Sequence, residues 1–160
     1  LNRLAQVQSP TRNTTYFGYD AAGNRARVLS PRRFAAYFGF DTLDRMEKVL
    51  DAEGNTAYFG YDAVGNAVKT QDALGRASYF GYDALNRAVR IQDPLCQSAY
   101  FGYDPGGNRN AEQDALLHTT YYGYDVLNRL GALLDPLSVT AYYGTMATRI
   151  WSRPVTITPR

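Results

Sequence analysis

The amino-acid sequence predicts an all-β fold: an antiparallel array of β-hairpins built from 21-residue repeats, two strands to each. The first observation is the phrase Tyr58-Phe59-Gly60-Tyr61-Asp62, which returns, lightly varied, from Tyr16, Tyr37, Tyr58, Tyr79, Tyr100, Tyr121 and Tyr142, always at a step of 21 residues. The second is composition. All 14 tyrosines and six of the seven phenylalanines fall in this phrase, so the aromatic residues are placed by architecture. The third is turn chemistry at two fixed places in the period, Asp with Gly or Asn at most of the first and Asp with Pro or Ala at most of the second.

A chain of 160 residues built this way buries apolar surface between neighbouring units. With 45% hydrophobic and 20% charged residues it lies within the folded range. Its net charge is +2, from 17 basic and 15 acidic residues spread evenly, which argues against nucleic acid or an anionic membrane surface as partner. A lone Cys96 excludes an internal disulfide, and a lone His118 leaves no Cys/His cluster for zinc. No apolar run approaches the roughly 20 residues of a membrane span. The N-terminus lacks the basic and apolar regions of a signal peptide. No cofactor is expected.

Residues 1–15 read as the rear of a repeat, with Leu1-Asn2-Arg3 matching Leu85-Asn86-Arg87 and Ser9-Pro10 matching Asp93-Pro94. Because Leu1 falls in mid-repeat, the chain is expected to be a segment of something longer or a processed product. Residues 16–141 hold six full repeats. In the one at Tyr58, residues 55–61 form an aromatic strand, and Asp62-Ala63-Val64-Gly65-Asn66 supplies a tight hairpin loop. Ala67 to Gln71 alternates as a second strand, as does Ala88 to Gln92. A second turn follows at Asp51-Ala52-Glu53-Gly54, Asp72-Ala73-Leu74-Gly75, Asp93-Pro94-Leu95 and Asp135-Pro136-Leu137.

A helical reading, suggested by three heptads in 21 residues, fails because Gly and Pro interrupt every helix-length segment and no a/d spacing exists. A longer beat of 42 residues is also present. Gly23-Asn24, Gly65-Asn66 and Gly107-Asn108 mark odd repeats, while Asp44-Arg45, Asn86-Arg87 and Asn128-Arg129 mark even ones. In even repeats an Arg follows the phrase's Asp by four residues (Asp41 and Arg45, Asp83 and Arg87, Asp125 and Arg129), within reach of an ion pair. Residues 142–160 form a degenerate repeat, with Thr145-Met146 replacing Tyr-Asp and with Trp151, Pro154 and Pro159 unmatched upstream. Here a cap or a subunit junction is expected.

The phrase [Tyr/Phe]-Gly-[Tyr/Phe]-Asp, then two residues, then Gly-Asn or Asn-Arg, then an Asp-Pro or Asp-Ala turn, resembles the YD repeats of Rhs, wall-associated and teneurin-type proteins. The residues that carry the likeness are, for example, Phe80, Tyr82, Asp83, Asn86, Arg87, Asp93 and Pro94, and it extends over residues 1–146. The resemblance implies a long antiparallel sheet of successive hairpins spiralling, solenoid-like, into a hollow shell that is exposed outside the cell or encases a cargo such as a toxin. Such shells need many more repeats than this chain holds. The family's self-cleaving C-terminal core is not recognisable, since Asp135-Pro136 occupies the periodic turn.

The structural motif residues are Tyr16-Phe17-Gly18-Tyr19-Asp20, Tyr58-Phe59-Gly60-Tyr61-Asp62, Tyr79-Phe80-Gly81-Tyr82-Asp83 and Tyr100-Phe101-Gly102-Tyr103-Asp104. Strand alternation sends Phe59 and Tyr61 to one face and Tyr58, Gly60 and Asp62 to the other. An aromatic ring of an adjacent strand is expected to fill the gap at each Gly. Packing is a simpler account of the phrase than an aromatic sugar-binding surface. The Asp-x-x-Gly-Asn turns lack the oxygen-rich spacing of a calcium loop. Neither His118 nor Cys96 belongs to a catalytic set, so no metal site and no enzyme activity are expected. The basic row Arg27, Lys48, Lys69 and Arg90 reads as a solvated outward face, with acidic glycans as a minority ligand. Asn13-Thr14-Thr15 is the one N-glycosylation sequon.

The leading expectation is a non-enzymatic structural protein, secreted or on the cell surface, that builds an extended wall or filament. Its partners would be copies of itself. Residues 142–147 fill the first six positions of a repeat and Leu1 the seventh, so head-to-tail addition across Leu1, Asn2, Arg3, Tyr142, Tyr143, Gly144 and Trp151 would stay in phase. The alternatives are a segment of an Rhs-type shell around a toxin or adhesion cargo, and a carbohydrate-binding module.

Overall fold

The computed structural model describes residues 3–143. It holds β1 (Gln6–Gln8), β2 (Thr14–Gly18), β3 (Arg27–Leu29), β4 (Ala35–Phe40), β5 (Met46–Leu50), β6 (Thr56–Tyr61) and β7 (Ala67–Gln71). These are followed by β8 (Ala77–Tyr82), β9 (Ala88–Gln92), β10 (Ser98–Tyr103), β11 (Arg109–Gln113), β12 (Thr119–Tyr124), β13 (Leu130–Leu134) and β14 (Thr140–Tyr142). The odd-numbered strands from β3 are the alternating second strands, and the even-numbered ones carry the aromatic phrase. Among the described residues there is no helix, and so none long and apolar enough to cross a membrane.

The chain divides into two units, Leu1–Ser78 and Tyr79–Arg160. In the first, each strand from β1 to β7 hydrogen-bonds antiparallel to the next in chain order. The second repeats the arrangement from β8 to β14. Register is constant because the period is constant: Tyr58 faces Gln71 and Gly60 faces Lys69, just as Tyr79 faces Gln92 and Gly81 faces Arg90. A β-bulge follows the phrase glycine in five hairpins, with Gly60 opposite Lys69 but Tyr61 opposite Ala67, so that Val68 is the extra residue.

Among the described residues each unit is a single-layer meander without a closed core. Among the described residues only Ala111, 1% exposed, and Ala132, 6% exposed, are buried apolar side chains. Other strand residues are mostly half-buried against their in-sheet neighbours. Cross-strand pairs are therefore the main local source of stability. The two alanines are buried because each is small and lies between the phrase glycine of one neighbour and the first tyrosine of the other: Gly102 and Tyr121 around Ala111, Gly123 and Tyr142 around Ala132.

The glycine positions differ from the expectation of aromatic filling. A Cβ added at Gly18, Gly39, Gly60 or Gly81 would meet the Cβ of Arg27, Lys48, Lys69 or Arg90 at 3.2, 3.3, 3.4 and 3.4 Å. The space is thus taken by the stem of the basic residue directly opposite, because the register sets that residue, and not a ring, across from the glycine. The basic row is correspondingly not a plain solvated face. Arg27 stacks over Tyr37 at 5.6 Å, Lys48 over Tyr58 at 5.7 Å and Arg90 over Tyr100 at 6.0 Å, and Lys69 and Arg90 are half-buried.

Candidate functional site

The ends of the strands hold the side chains with the most specific geometry. Twelve of the thirteen described hairpin loops share one form, whether they use Gly-Asn, Asn-Arg or Asp-Pro, and in the thirteenth the Gly23 N–H donates to Oδ1 of Asp20 at 2.7 Å in place of the backbone carbonyl. At Asp83 the backbone N–H donates to the Arg87 carbonyl at 3.0 Å, and the Asn86 N–H donates to the Asp83 carbonyl at 3.0 Å. The residue in the Asn86 position has positive φ in every loop, giving a type I turn closed by a left-handed residue. The Asp carboxylate fixes the loop from inside: Oδ1 of Asp83 accepts the N–H of Leu85 at 2.9 Å and of Arg87 at 3.0 Å, while Oδ2 accepts Nε of Arg87 at 2.7 Å.

These donors hold the carboxyls of Asp41, Asp62, Asp83 and Asp125 below the usual carboxylate range. At Asp41, Asp83 and Asp125 the backbone N–H four residues on is the largest cause, followed or accompanied by that arginine's guanidinium. At Asp62 the Asn66 side-chain amide leads. The even-repeat ion pairs form at 2.7 Å for Arg45 with Asp41, 2.7 Å for Arg87 with Asp83 and 2.8 Å for Arg129 with Asp125. With its oxygens occupied by N–H donors, the loop is a hydrogen-bonded turn.

The 42-residue beat is a ladder linking successive repeats along one rim. In the first unit Arg3 donates to the Asp20 carbonyl at 3.0 Å, Asn24 to Oδ1 of Asp44 at 2.6 Å and Arg45 to the Asp62 carbonyl at 2.8 Å. In the second, Asn108 donates to Oδ1 of Asn128 at 2.9 Å. The even-repeat arginine also covers the next fourth-position ring: Arg3 lies over Tyr19, Arg45 over Tyr61 at 4.8 Å and Arg87 over Tyr103 at 4.4 Å. Those rings are tethered in turn. The hydroxyls of Tyr19, Tyr61, Tyr103 and Tyr124 donate to the carbonyls of Leu4, Met46, Ala88 and Arg109, each 15 residues earlier. Sequence reading paired each arginine only with its own Asp; the strict odd and even alternation was the signal that a neighbour shares it.

In the phrase itself, Tyr16, Tyr58 and Tyr79 are exposed and Tyr100 is half-buried, while Phe17, Phe59, Phe80 and Phe101 are half-buried. The fourth-position Tyr82 and the turn residues Asp20, Asp62, Asp83 and Asp104 are half-buried as well. His118 faces Asp114 across its turn at 3.2 Å, and Cys96 is an exposed thiol in a left-handed turn position. Of the proposed junction, Arg3, Tyr142 and Tyr143 are described, whereas Leu1, Asn2, Gly144 and Trp151 lie outside the described residues, as does the expected cap. The rims carry exposed apolar residues at the turn tips, among them Leu85 and Leu127 on one and Leu95, Leu116 and Leu137 on the other.

Comparison with known proteins agrees with this geometry. The RHS Repeat family model matches residues 61–95. The crystal structure of TcdB2-TccC3 is similar at a TM-score of 0.62 and 14% identity over 76% of this chain and 8% of that one. The same complex without its hypervariable C-terminal region gives 0.61 and 13% over 77% and 8%. The Photorhabdus luminescens Tc holotoxin pore gives 0.60 and 16% over 76% and 7%. This chain thus spans 7–8% of the length of those chains. Comparison with curated proteins gives no match. Residues 61–95 match the RHS repeat, and the same 21-residue period and strand meander extend through the described residues on either side of them.

Proposed function

We propose that this chain is a stretch of wall from an Rhs-type shell, a non-enzymatic part of a secreted or surface-exposed protein that encloses a toxin or adhesion cargo. The observation that carries the proposal is the RHS repeat match within a fold shared with chains of Tc toxin complexes. The single-layer sheet supports it. A wall is used as a surface, so its faces stay half-exposed and its rims carry apolar tips that further wall can cover. The filament reading draws less support, because the residues of its head-to-tail junction lie largely outside the described ones.

Mass measurement of the native polypeptide, followed by limited proteolysis, tests the proposal. The expected result is a mass far above 17.9 kDa, with additional domains and a segment protected from protease until the sheet is denatured. A native polypeptide of only this length, forming fibres in negative stain, would favour the filament instead.

A further inference from the structure

The described second turns are headed by Ser9, Ser30, Asp51, Asp72, Asp93, Asp114 and Asp135, and the one at Ser30 is held by the fewest side-chain hydrogen bonds. In the Asp turns one carboxylate accepts two backbone N–H groups, as Asp72 accepts those of Leu74 at 3.0 Å and Arg76 at 2.9 Å. Asp72 also accepts Nε of Arg76 at 2.6 Å. Ser30 supplies a single bond, its Oγ accepting the N–H of Phe34 at 3.1 Å. Ser9 likewise accepts the N–H of Asn13, but there Thr11 adds bonds with Ser9 Oγ at 2.8 Å and from Nδ2 of Asn13 at 3.1 Å. The strand that feeds the Ser30 turn is short as well: β3 has three residues, against five in β5, β7, β9, β11 and β13.

The tip of this turn is Pro31-Arg32-Arg33-Phe34, all four exposed, with Phe34 57% exposed. Elsewhere the turn arginines Arg45, Arg76, Arg87 and Arg129 each grip the Asp four residues before them. Arg32 and Arg33 form no ion pair among the described residues. Arg32 also takes the place that Leu74, Leu95, Leu116 and Leu137 fill in their turns. Those apolar tips suit a covered rim, whereas a guanidinium without a partner belongs in water.

An endoprotease takes its substrate as an extended strand, so a turn must open before it is cut, and the rate follows the open population when closing is fast. Few side-chain bonds and a short strand favour that opening, and exposed loop tips are where nicking concentrates. Arg33 stands at φ 64°, a conformation that an L-residue gives up readily. A protease pocket floored by a carboxylate grips a guanidinium through forked hydrogen bonds. We infer that the turn of residues 30–34 is a processing site for an arginine-specific endoprotease of the trypsin type, which cuts between Arg33 and Phe34. With Arg33 in the primary pocket, Arg32 lies in the next subsite on one side and the exposed ring of Phe34 on the other. Water is the co-reactant. The C–N bond of that peptide breaks, the Arg33 carbonyl carbon takes the hydroxyl of the water to become a carboxyl group, and the remaining proton goes to the Phe34 nitrogen. The cut separates β1–β3 from β4, leaving them joined through the ladder of Arg27–Leu29 with Ala35–Tyr37 and the Asn24–Asp44 hydrogen bond. The inference is independent of the shell proposal.

Timed digestion of the whole chain with dilute trypsin, read by mass spectrometry of the intact fragments, tests it. The first cut within residues 3–143 should fall after Arg33, giving pieces 1–33 and 34–160. Ser30→Asp restores the carboxylate of the other turns and should slow that cut by about tenfold or more, the equivalent of one added hydrogen bond to a charged group. Arg32→Gln with Arg33→Gln removes the recognised groups from exposed positions, so it should abolish the cut while leaving the urea midpoint unchanged. A first cut at any other described arginine or lysine, a Ser30→Asp chain cut as fast as the parent, or continued cleavage at this turn in the double variant would overturn the inference.

Discussion

At Asp83 three N–H groups converge on one carboxylate, and the same arrangement recurs at Asp41 and Asp125. Folded-state carboxyl pKa values are depressed, so this contribution is complete above the unfolded value of about 4 and is lost as pH falls through the lower folded values. The thermal midpoint should therefore drop between about pH 6 and about pH 3; an unchanged midpoint by circular dichroism would refute this. Two single residues break local rules. Phe40 lacks the hydroxyl that Tyr61 and Tyr103 use to reach a carbonyl 15 residues back, which for position 40 is Arg25. Phe40→Tyr should stabilise by about 1 kcal/mol in urea unfolding. Asn110 buries Oδ1 without a hydrogen-bond partner at the place where Val68 and Val89 stand in their repeats. Asn110→Val should gain about 1–2 kcal/mol by the same measurement, and a loss would show that the amide is satisfied in solution.

At the scale of the hairpin, the places of strands and turns were legible in the sequence, since β6 and β7 fall where alternation and turn residues put them. The common geometry of the two turns was not. Eight described left-handed positions are held by residues other than glycine, including Arg12, Asp44, Cys96 and Leu117, against five glycines, so residue type concealed a shared φ. What holds the shape is the backbone bond pair with the Asp or Ser acceptor, a pattern visible only once register is known. The glycine gap was misread for the same reason, because alternation within one strand does not say which residue lies opposite. Leu117 is 69% exposed at φ 67°, and Leu117→Gly should raise stability by up to about 1 kcal/mol despite losing an apolar side chain. A lower midpoint would mean that the leucine is covered by a neighbour.

At the scale of the whole molecule, the ladder of the first unit has odd and even repeats alternating as donors to the next repeat, so pairs are the interchangeable unit there. Deleting residues 16–57 brings Arg3 into the place of Arg45 beneath Tyr61 and Asp62 and preserves the ladder. Deleting only residues 37–57 removes Arg45 and Asp44 and sets two odd repeats side by side. The shorter deletion should destabilise at least as much as the longer one in thermal melts, the reverse of what chain length alone would give. The sequence announced this beat but not its direction, because which repeat donates depends on the reach of side chains across strands.

The chain-order register has a further consequence. In β6 and its neighbours, Tyr58 pairs with Gln71 on one side and Lys48 on the other, so every partner lies within a short stretch of chain. Contact order is low, and each new strand needs only the one made just before it. Such a sheet can grow vectorially from a chain threaded end first through a narrow conduit, with each emerging hairpin templated by its predecessor and no distant segment awaited.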